Sequence, residues 1–369
     1  RRVFIRADLD CPMTADGFVA DDARIQSALP ALRHAIAQGA KVVLASTLGR
    51  PRGKRVPELS LAPVGERLAE LLDQDVYMPA DTVGDGPRKV VMERVDGEVV
   101  LLENLAFNPE EEANDDVFAQ RLASLADIYV NDAFASVNRA HASVDAITRH
   151  LPVRGAGPLL ARELQFMQKV ATGTDCPFVL LVGGSSLTDK TGLFNRMMAR
   201  TRSMCIGGAL AATFLKAQGR AVGRTRIEAD KIETATGIVA RAKVRGVEIL
   251  LPTDVVVAAE ANEKALPTVV PVDEIPEDAM ILDIGPATVA EFSARVGTAK
   301  MILWNGPMGM FELRPFLAGT EALAKAVSRS RAVSVAVGQD TAAAIHRAMM
   351  TPFFAHVSAG GKLSMELKV

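Results

Sequence analysis

The sequence predicts a two-domain α/β protein built on parallel, doubly wound sheets. Short aliphatic or β-branched runs alternate with amphipathic helical stretches almost throughout, as in repeated strand–helix–strand units. At 369 residues the chain is longer than one hydrophobic core usually serves. Aromatic residues make up only 5%, so the cores must rest on Ala, Val, Leu and Ile, which suits sheets covered by helices.

The first half contains four predicted strands and two long predicted helices. The strands are Val3–Ile5, Lys41–Ala45, Val99–Leu102 and Asp127–Val130, and the helices are Arg24–Gln38 and Ala62–Leu72. Pro and Gly then concentrate in His150–Pro158, before a polar-faced helix at Leu159–Val170. We expect the domain boundary here, with this helix lying between the domains.

The same alternation resumes in the second half. Its predicted strands are Phe178–Val182, Met204–Ile206, Val247–Leu251, Met280–Asp283, Met301–Trp304 and Ala332–Val337. The polar, proline-containing stretch Glu260–Ile275 is expected to be a surface excursion.

Charge and cysteine content exclude several functional classes. The chain has 42 basic and 44 acidic residues and no dense basic run, which argues against a nucleic-acid partner. Its three cysteines have no metal-type pairing with histidines, so we expect a reducing cytoplasm and no structural zinc. The longest apolar run, Cys205–Leu215, is too short to span a bilayer, and the N-terminus lacks a signal-peptide core; no membrane partner is expected.

Three predicted strands of the second half end in a glycine turn followed by a helix. The turns are Gly183-Gly184-Ser185, Gly207-Gly208 and Gly338-Gln339-Asp340-Thr341. Glycine lets the backbone approach a ligand, and a helix N-terminus offers free amides and the positive end of its dipole. We expect the three helix starts to converge on one phosphate-bearing ligand, a nucleotide; a tight loop without a ligand is the alternative for any single turn.

Three residues in or near these turns carry further chemistry. The segment Gly184–Thr191 resembles a P-loop, but Asp189 replaces its second glycine, which argues against a P-loop NTPase while leaving Lys190 able to reach a phosphate. Asp340 is a candidate Mg²⁺ ligand, with a helix cap as the alternative. In the loop Trp304–Glu312, Glu312 is a candidate for ribose hydroxyls, although a buried turn would look similar.

Arginines recur at strand ends and turns of the first half: Arg6, Arg24, Arg50 and Arg139. Each suits bidentate capture of a carboxylate or phosphate, and for each a surface salt bridge is the alternative. Together they indicate a domain for an anionic substrate.

These motifs resemble the phosphoglycerate kinase family along essentially the whole chain. Eleven segments follow the family's order and spacing: RADLDCP, DDARI, STLGRP, LLENLAF, YVNDAFASVNRAHAS, VGGSSLTDK, IGGALAATFLKA, DIGP, WNGPMGMFE, VGQDT and HVSAGGK. The resemblance implies two Rossmann-like domains with parallel sheets, joined by an interdomain helix and a hinge whose closure allows direct phosphoryl transfer. It divides the chain into 1–154 for 3-phosphoglycerate, 155–171 for the hinge and helix, 172–351 for Mg²⁺ with ATP or ADP, and 352–369 as a segment returning toward the hinge.

The resemblance also assigns site residues. The acid-substrate side comprises Arg6, Asp8, Asp10, Arg24, Thr47, Arg50 and Arg139. The nucleotide side comprises Gly184, Ser185, Ser186, Lys190, Gly207, Gly208, Asn305, Pro307, Glu312, Gly338, Gln339, Asp340 and Thr341. Arg24, Lys190 and Gly338 are the implied catalytic residues, Asp340 is the implied metal ligand, and the family precedent is a monomer.

Several positions depart from the family pattern. The family has Asn at Asp10, His at Thr47, Arg at Ala106, His at Asn138, Lys at Ser186, Thr at Ala359, and Gly at Ala209, Gln339 and Lys362. Loss of the arginine at 106 leaves substrate charge unpaired, at a cost of roughly 2–5 kcal/mol for a desolvated pair. A cation such as the missing lysine at 186 is worth about 10³–10⁵ in rate.

Three hypotheses follow. The chain is a phosphoglycerate kinase with impaired activity, a degenerate paralogue that binds nucleotide as a sensor or scaffold, or a kinase for a different, less anionic acid.

Overall fold

The computed structural model describes residues 1–358 and divides the chain into two compact units, Arg1–Gln165 and a second that begins at Phe166. The boundary falls inside the helix Pro158–Thr172. It lies within the predicted interdomain segment 155–171 and coincides with neither of its ends. From residue 359 onward the predicted C-terminal segment lies outside the described residues, as do Ala359 and Lys362.

The first unit is built on a six-stranded sheet in which all strands are parallel. Its strands are β1 (Arg2–Arg6), β2 (Lys41–Ala45), β3 (Val76–Tyr77), β4 (Val99–Leu101), β5 (Ile128–Asn131) and β6 (Arg154–Ala156), in the order β3-β4-β2-β1-β5-β6. Its helices are α1 (Ala23–Ala37), α2 (Ala62–Leu72), α3 (Asp85–Met92), α4 (Pro109–Glu112) and α5 (Asp116–Ala123), followed by α6 (Pro158–Thr172), which contains the boundary. The four strands predicted in this half are confirmed.

Both faces of this sheet are buried. Ile5 and Leu44 belong to one apolar cluster, and Phe4 and Val43 belong to another. Neighbouring residues of one strand point to opposite faces, so a sheet covered on both sides needs continuous apolar strands. This is why β1 and β2 read as unbroken aliphatic runs.

The second unit contains a parallel six-stranded sheet and a separate antiparallel one. The strands are β7 (Phe178–Val182), β8 (Ser203–Ile206), β9 (Glu248–Leu250), β10 (Asp254–Ala258), β11 (Thr268–Pro271), β12 (Met280–Ile284), β13 (Met301–Asn305), β14 (Val333–Val337) and β15 (His356–Ser358). The parallel sheet has the order β15-β14-β13-β7-β8-β9, and the antiparallel sheet has the order β11-β10-β12. The helices are α7 (Leu187–Met197), α8 (Gly208–Ala217), α9 (Ile232–Val244), α10 (Pro286–Thr298), α11 (Ala318–Arg329) and α12 (Gln339–Arg347).

The antiparallel sheet is a feature of this half that the sequence did not predict. The predicted strand at Met280–Asp283 exists, but it pairs antiparallel with β10, which the sequence reading missed. The predicted surface excursion contains β11, whose residues are mostly exposed. The connection 259–267 between β10 and β11 contains no helix and is shorter than a parallel crossover requires, so an antiparallel return is the available geometry there.

Among residues 1–358, no helix combines the length and the apolar character that a membrane crossing requires.

A buried carboxylate links the antiparallel sheet to the start of α11. Asp283 is 2% exposed and accepts hydrogen bonds from the backbone N–H groups of Gly319 (2.7 Å) and Ile284 (2.9 Å). Burial raises the pKa of Asp283 to about 7, against the opposing effect of these two bonds. The folded protein therefore holds a proton there at pH values where the unfolded chain has released it.

We predict that Asp283 makes stability fall as pH rises from about 4 to about 7, at about 1.4 kcal/mol per unit of pKa displacement. The stabilisation that protonated Asp283 gives the folded protein is fully present below the pKa of the unfolded chain. It is lost as the pH rises through the pKa of the folded state. Denaturant unfolding of the wild type and of Asp283→Asn should measure this effect. As the pH rises across this range, the free energy of unfolding of the wild type should fall relative to that of the variant. A difference that is constant with pH would contradict the prediction.

Candidate functional site

The carboxyl ends of β14, β13, β7 and β8 lie side by side at one edge of the second unit's parallel sheet. A cleft of about 240 Å³ opens there. It is lined by Gly184, Ser185, Ser186, Asp189, Lys190, Asn305, Gly306, Gly338, Gln339, Asp340 and Thr341. Many of the residues assigned to the nucleotide side are thus brought together, and Asp189 and Gly306 join them.

Three loops at this edge contact one another backbone to backbone. A Cβ on Gly183 would lie less than 3.0 Å from the carbonyl oxygens of Pro307 and Gly306, and one on Gly208 would lie 2.6 Å from that of Gly184. Gly306 has φ +99°, and a Cβ there would lie 2.3 Å from the carbonyl oxygen of Gly183. The Gly-Gly turns after β7 and β8 therefore serve first to let neighbouring loops approach each other.

This packing occupies the start of α8. The backbone N–H of Gly208 donates to the carbonyl oxygen of Met308 (2.8 Å), and that of Leu210 donates to Gly184 (2.9 Å). The amides of Gly208 and Leu210 at the α8 start are therefore bonded within the protein and are not free for a shared anion. Amides already bonded to neighbouring carbonyl groups have no hydrogen left for a phosphate.

The start of α7 is occupied by a carboxylate of the chain itself. Glu228 accepts hydrogen bonds from the backbone N–H and hydroxyl of Thr188 (3.5 and 2.7 Å), from the N–H of Leu187, and from the hydroxyl of Ser186 (3.3 Å). Burial alone would raise the pKa of Glu228, but these hydrogen bonds outweigh it and hold the pKa below its usual value. The second expected anion site is thus already filled, by a residue more than thirty positions further along the chain.

The start of α12 remains open to the cleft. Gly338 has φ +100° and turns the chain from β14 into the helix. In the part of the chain that the structure describes, the backbone N–H groups of Gln339, Asp340 and Thr341 have no hydrogen-bond partner. Asp340 makes no capping hydrogen bond, so the helix-cap alternative does not apply. These amides and the helix dipole form the anion site of this edge.

Lys190 reaches into the cleft from the first turns of α7. Its Nζ donates to Oδ1 of Asn305, while Nδ2 of Asn305 donates to the carbonyl oxygen of Val337 (2.8 Å). Thr341 accepts from the N–H of Gly306 (2.7 Å) and so ties the β13 loop to the β14 turn. Burial lowers the pKa of Lys190, and the carboxylates of Asp189 and Asp340 oppose that shift. The lysine is held beside the open amides.

Four predicted nucleotide residues do not line this cleft: Gly207, Gly208, Pro307 and Glu312. Glu312 is exposed, and its backbone carbonyl accepts a hydrogen bond from Arg347 (2.9 Å). Met308, in the same loop, is fully buried against the core. The sequence reading also missed Glu228, because nothing near that residue signals a contact with a distant helix.

The predicted acid-substrate residues of the first unit lie at the carboxyl edge of its sheet. Arg6 is fully buried and donates to Ser143 (3.1 Å), Thr47 (3.3 Å) and the carbonyl oxygen of Ala7. Asp8 accepts from the N–H of Ala135 (2.6 Å), which connects the loops after β1 and β5. These contacts make Arg6 and Asp8 parts of the scaffold at this edge.

Two departures from the family pattern are also placed in this scaffold. Asp10 accepts from the N–H of Gly49 (2.9 Å), which holds the loop after β2. Ala106 is 4% exposed, and its carbonyl oxygen accepts from the N–H of Gly53 (3.1 Å).

Arg24, Arg50 and Arg139 differ from Arg6 in having no protein partner. Among residues 1–358, no side-chain hydrogen bond or ion pair involves any of these three guanidinium groups. Arg50 and Arg139 are exposed, and Arg24 is half-buried. The surface-salt-bridge alternative is therefore not observed for them, and three forked donors remain available to an anion.

No group of three or more His, Cys, Asp or Glu side chains in the described residues is arranged to hold a metal ion. A divalent cation at this edge would need most of its ligands from another source, such as phosphate oxygens and water.

We predict that Gly306→Ala destabilises the protein by roughly 2–4 kcal/mol, because it combines a left-handed backbone with overpacking against Gly183. Gly297→Ala is the matched control: no atom lies within 4 Å of its added Cβ, and alanine favours the helix by about 0.5–1 kcal/mol. Thermal and urea unfolding would measure both. Equal stability of the two variants would contradict the role given to the loop contact.

Comparisons with known proteins agree with this architecture. A family model described as phosphoglycerate kinase matches residues 1–367. A phosphoglycerate kinase from Anaeromyxobacter dehalogenans (strain 2CP-1) is 48% identical, over 99% of this chain and 93% of its own. The solved phosphoglycerate kinases of Coxiella burnetii and Pyrococcus horikoshii superpose with TM-scores of 0.87 and 0.86 at 38% and 30% identity, each over 99% of this chain and 92% of theirs. The chain belongs to the phosphoglycerate kinase family of transferases.

Proposed function

We propose that the protein catalyses reversible phosphoryl transfer, ATP + 3-phospho-D-glycerate ⇌ ADP + 1,3-bisphosphoglycerate, at a rate well below that of a fully equipped enzyme. The observation that carries the proposal is the open start of α12, where three amides without a partner among residues 1–358 face a cleft that also contains Lys190. Transfer between two anions depends mainly on positioning and charge stabilisation. The rate is therefore set by the cations and amides that surround the phosphates.

The nucleotide phosphates are assigned to the α12 turn. Gly338 provides the turn, the amides of Gln339, Asp340 and Thr341 donate to phosphate oxygens, and Lys190 supplies positive charge. The lowered pKa of Lys190 reflects burial, and an arriving phosphate would favour its charged form. Ser185 and Ser186 also line this cleft. Gly207, Gly208, Pro307 and Glu312 are proposed to contact the rest of the nucleotide, outside this cleft.

Asp340 fits the role of a magnesium ligand. It lies in the cleft lining, makes no hydrogen bond through its carboxylate in the described residues, and is close to the phosphate-binding amides. One protein carboxylate is typical where Mg²⁺ takes its other ligands from phosphates and water. When bound, Mg²⁺ would neutralise phosphate charge.

The acid substrate is assigned to the first unit. Arg24, Arg50 and Arg139 are the direct ligands, since their guanidinium groups have no partner among residues 1–358. Arg6, Asp8, Asp10 and Thr47 hold the loops that carry them. We also propose that the protein acts in the cytoplasm as a monomer.

Three replacements limit the rate. Ser186 provides a hydroxyl where the family has a lysine, Ala106 provides a buried methyl group where the family has an arginine, and Gln339 adds a side chain at the phosphate turn. Lys190 is the one cation among the residues that line the described cleft, which also contains Asp189 and Asp340.

A cleft with one lysine and two carboxylates also supports the second candidate, a degenerate paralogue that binds nucleotide as a sensor or scaffold. On the acid-substrate side of the first unit, Thr47 and Ala106 replace basic residues of the family. A kinase for a less anionic acid is therefore the other alternative.

We predict that Ser186→Lys raises turnover of MgATP and 3-phosphoglycerate by at least about ten-fold, because it restores a cation of the kind worth about 10³–10⁵ in phosphoryl transfer. Ser186 is half-buried and lines the cleft, so a lysine has room to enter it. Adding Ala106→Arg should increase the gain, provided that the buried position accepts the larger side chain. A coupled assay for ADP formation would measure these rates.

Ser185→Lys is the matched control, since it adds the same charge one residue away. No gain in a folded Ser186→Lys protein, or an equal gain in the control, would contradict this account. For the wild type, turnover at ordinary kinase rates would exclude both alternatives. ADP binding by calorimetry without turnover would favour the paralogue, and turnover with another hydroxy or carboxylic acid would favour the third hypothesis.

A further inference from the structure

Glu228 lies directly behind the wall of the nucleotide cleft. Its carboxylate accepts a hydrogen bond from the hydroxyl of Ser186 (3.3 Å), and Ser186 itself lines the cleft. The other three donors to Glu228 come from Leu187 and Thr188, in the first turn of α7. A full negative charge is therefore fixed within one side chain of the space proposed for phosphate.

The partners of this carboxylate in the described residues are uncharged. All four hydrogen bonds to Glu228 come from neutral groups, and in the described part of the chain it forms no ion pair. The side chain of Lys190 is directed to Asn305. The lowered pKa of Glu228 keeps it ionised near neutral pH. Its charge also offsets the positive dipole end of α7, which would otherwise attract phosphate.

We infer that Glu228 is a specificity-determining residue, whose fixed charge makes the cleft favour nucleotides with fewer phosphate charges over the triphosphate. This inference rests on the proposed nucleotide site. In general, two like unit charges roughly 8–10 Å apart repel each other by about 0.4–2 kcal/mol, depending on the effective dielectric. A cost of this size corresponds to about two- to thirty-fold in affinity for each added phosphate charge.

The contact has a second, structural effect that must be separated from the first. Glu228 also ties the loop before α9 to α7, so losing it would loosen both elements. A structural defect weakens all nucleotides alike. Removal of a charge instead changes the ratio between nucleotides of different charge, and the change shrinks with added salt.

The test is calorimetric titration of the full chain with AMP, ADP and ATP, in EDTA and in Mg²⁺, at low and at high ionic strength. Glu228→Gln should improve affinity for ATP relative to ADP, and for ADP relative to AMP, by at least about two-fold per step in EDTA at low salt. The improvement should be smaller in Mg²⁺ and at high salt. In the wild type, added salt should reduce the ratio of the dissociation constant for ATP to that for ADP.

Two control variants distinguish the explanations. Glu233→Gln removes the same charge from an exposed position of α9 that has no contact with the α7 start. Thr188→Val keeps the charge and removes one donor to it. Neither should change the nucleotide ratios, although Thr188→Val should lower stability.

The inference would be overturned if the affinity ratios among AMP, ADP and ATP were unchanged in Glu228→Gln. It would also be overturned if these ratios changed equally in either control variant. If Glu228→Gln fails to fold, the wild-type salt series decides: a preference that does not narrow with salt overturns the proposal. Failure of every nucleotide to bind the wild type and all variants would instead show that the proposed nucleotide site is wrong, and the inference would fall with it.

Discussion

The nucleotide edge depends on three loops that meet with no side chain between them. Gly183, Gly208 and Gly306 each occupy a position where a Cβ would collide with the backbone of a neighbouring loop. This contact fixes the ends of β7, β8 and β13 against one another, and it uses the first amides of α8 in hydrogen bonds to Gly184 and Met308. Where phosphate can bind is decided by which helix start this packing leaves uncovered.

The three helix starts at this edge have different partners. At the α8 start the amides of Gly208 and Leu210 are bonded to backbone carbonyl groups, and at the α7 start the first amides are bonded to the carboxylate of Glu228. At the α12 start the first three amides have no protein partner in the described residues. A helix N-terminus attracts an anion only while its amides are free. Similar glycine turns in sequence thus have different roles in the fold.

The fold was largely predictable because it follows from local patterns. Strands buried on both faces are unbroken aliphatic runs, and parallel strands require helices between them, so β1, β2, β7 and β13 were identified nearly to the residue. The sheet of β10, β11 and β12 was missed because its connections contain no helix and β11 is mostly exposed.

The site was less predictable because it depends on contacts between distant segments. Lys190, Asn305 and the α12 turn were identified from motifs and meet in one cleft. The occupancy of the α7 start depends on Glu228, about forty residues away, and that of α8 depends on the β13 loop. The burial of Arg6 behind Thr47 and Ser143 is likewise a property of the folded edge. Sequence identifies the groups that can bind an anion, and packing decides which of them are free.

The most direct test of this account is backbone amide NMR during titration with ADP and Mg²⁺. The amides of Gln339, Asp340 and Thr341 should show large chemical-shift changes and gain protection from hydrogen exchange. The amides of Leu187, Thr188, Gly208 and Leu210 should gain no protection, since their hydrogens are already bonded within the protein. New protection at the α7 or α8 start, with none at α12, would contradict the central claim.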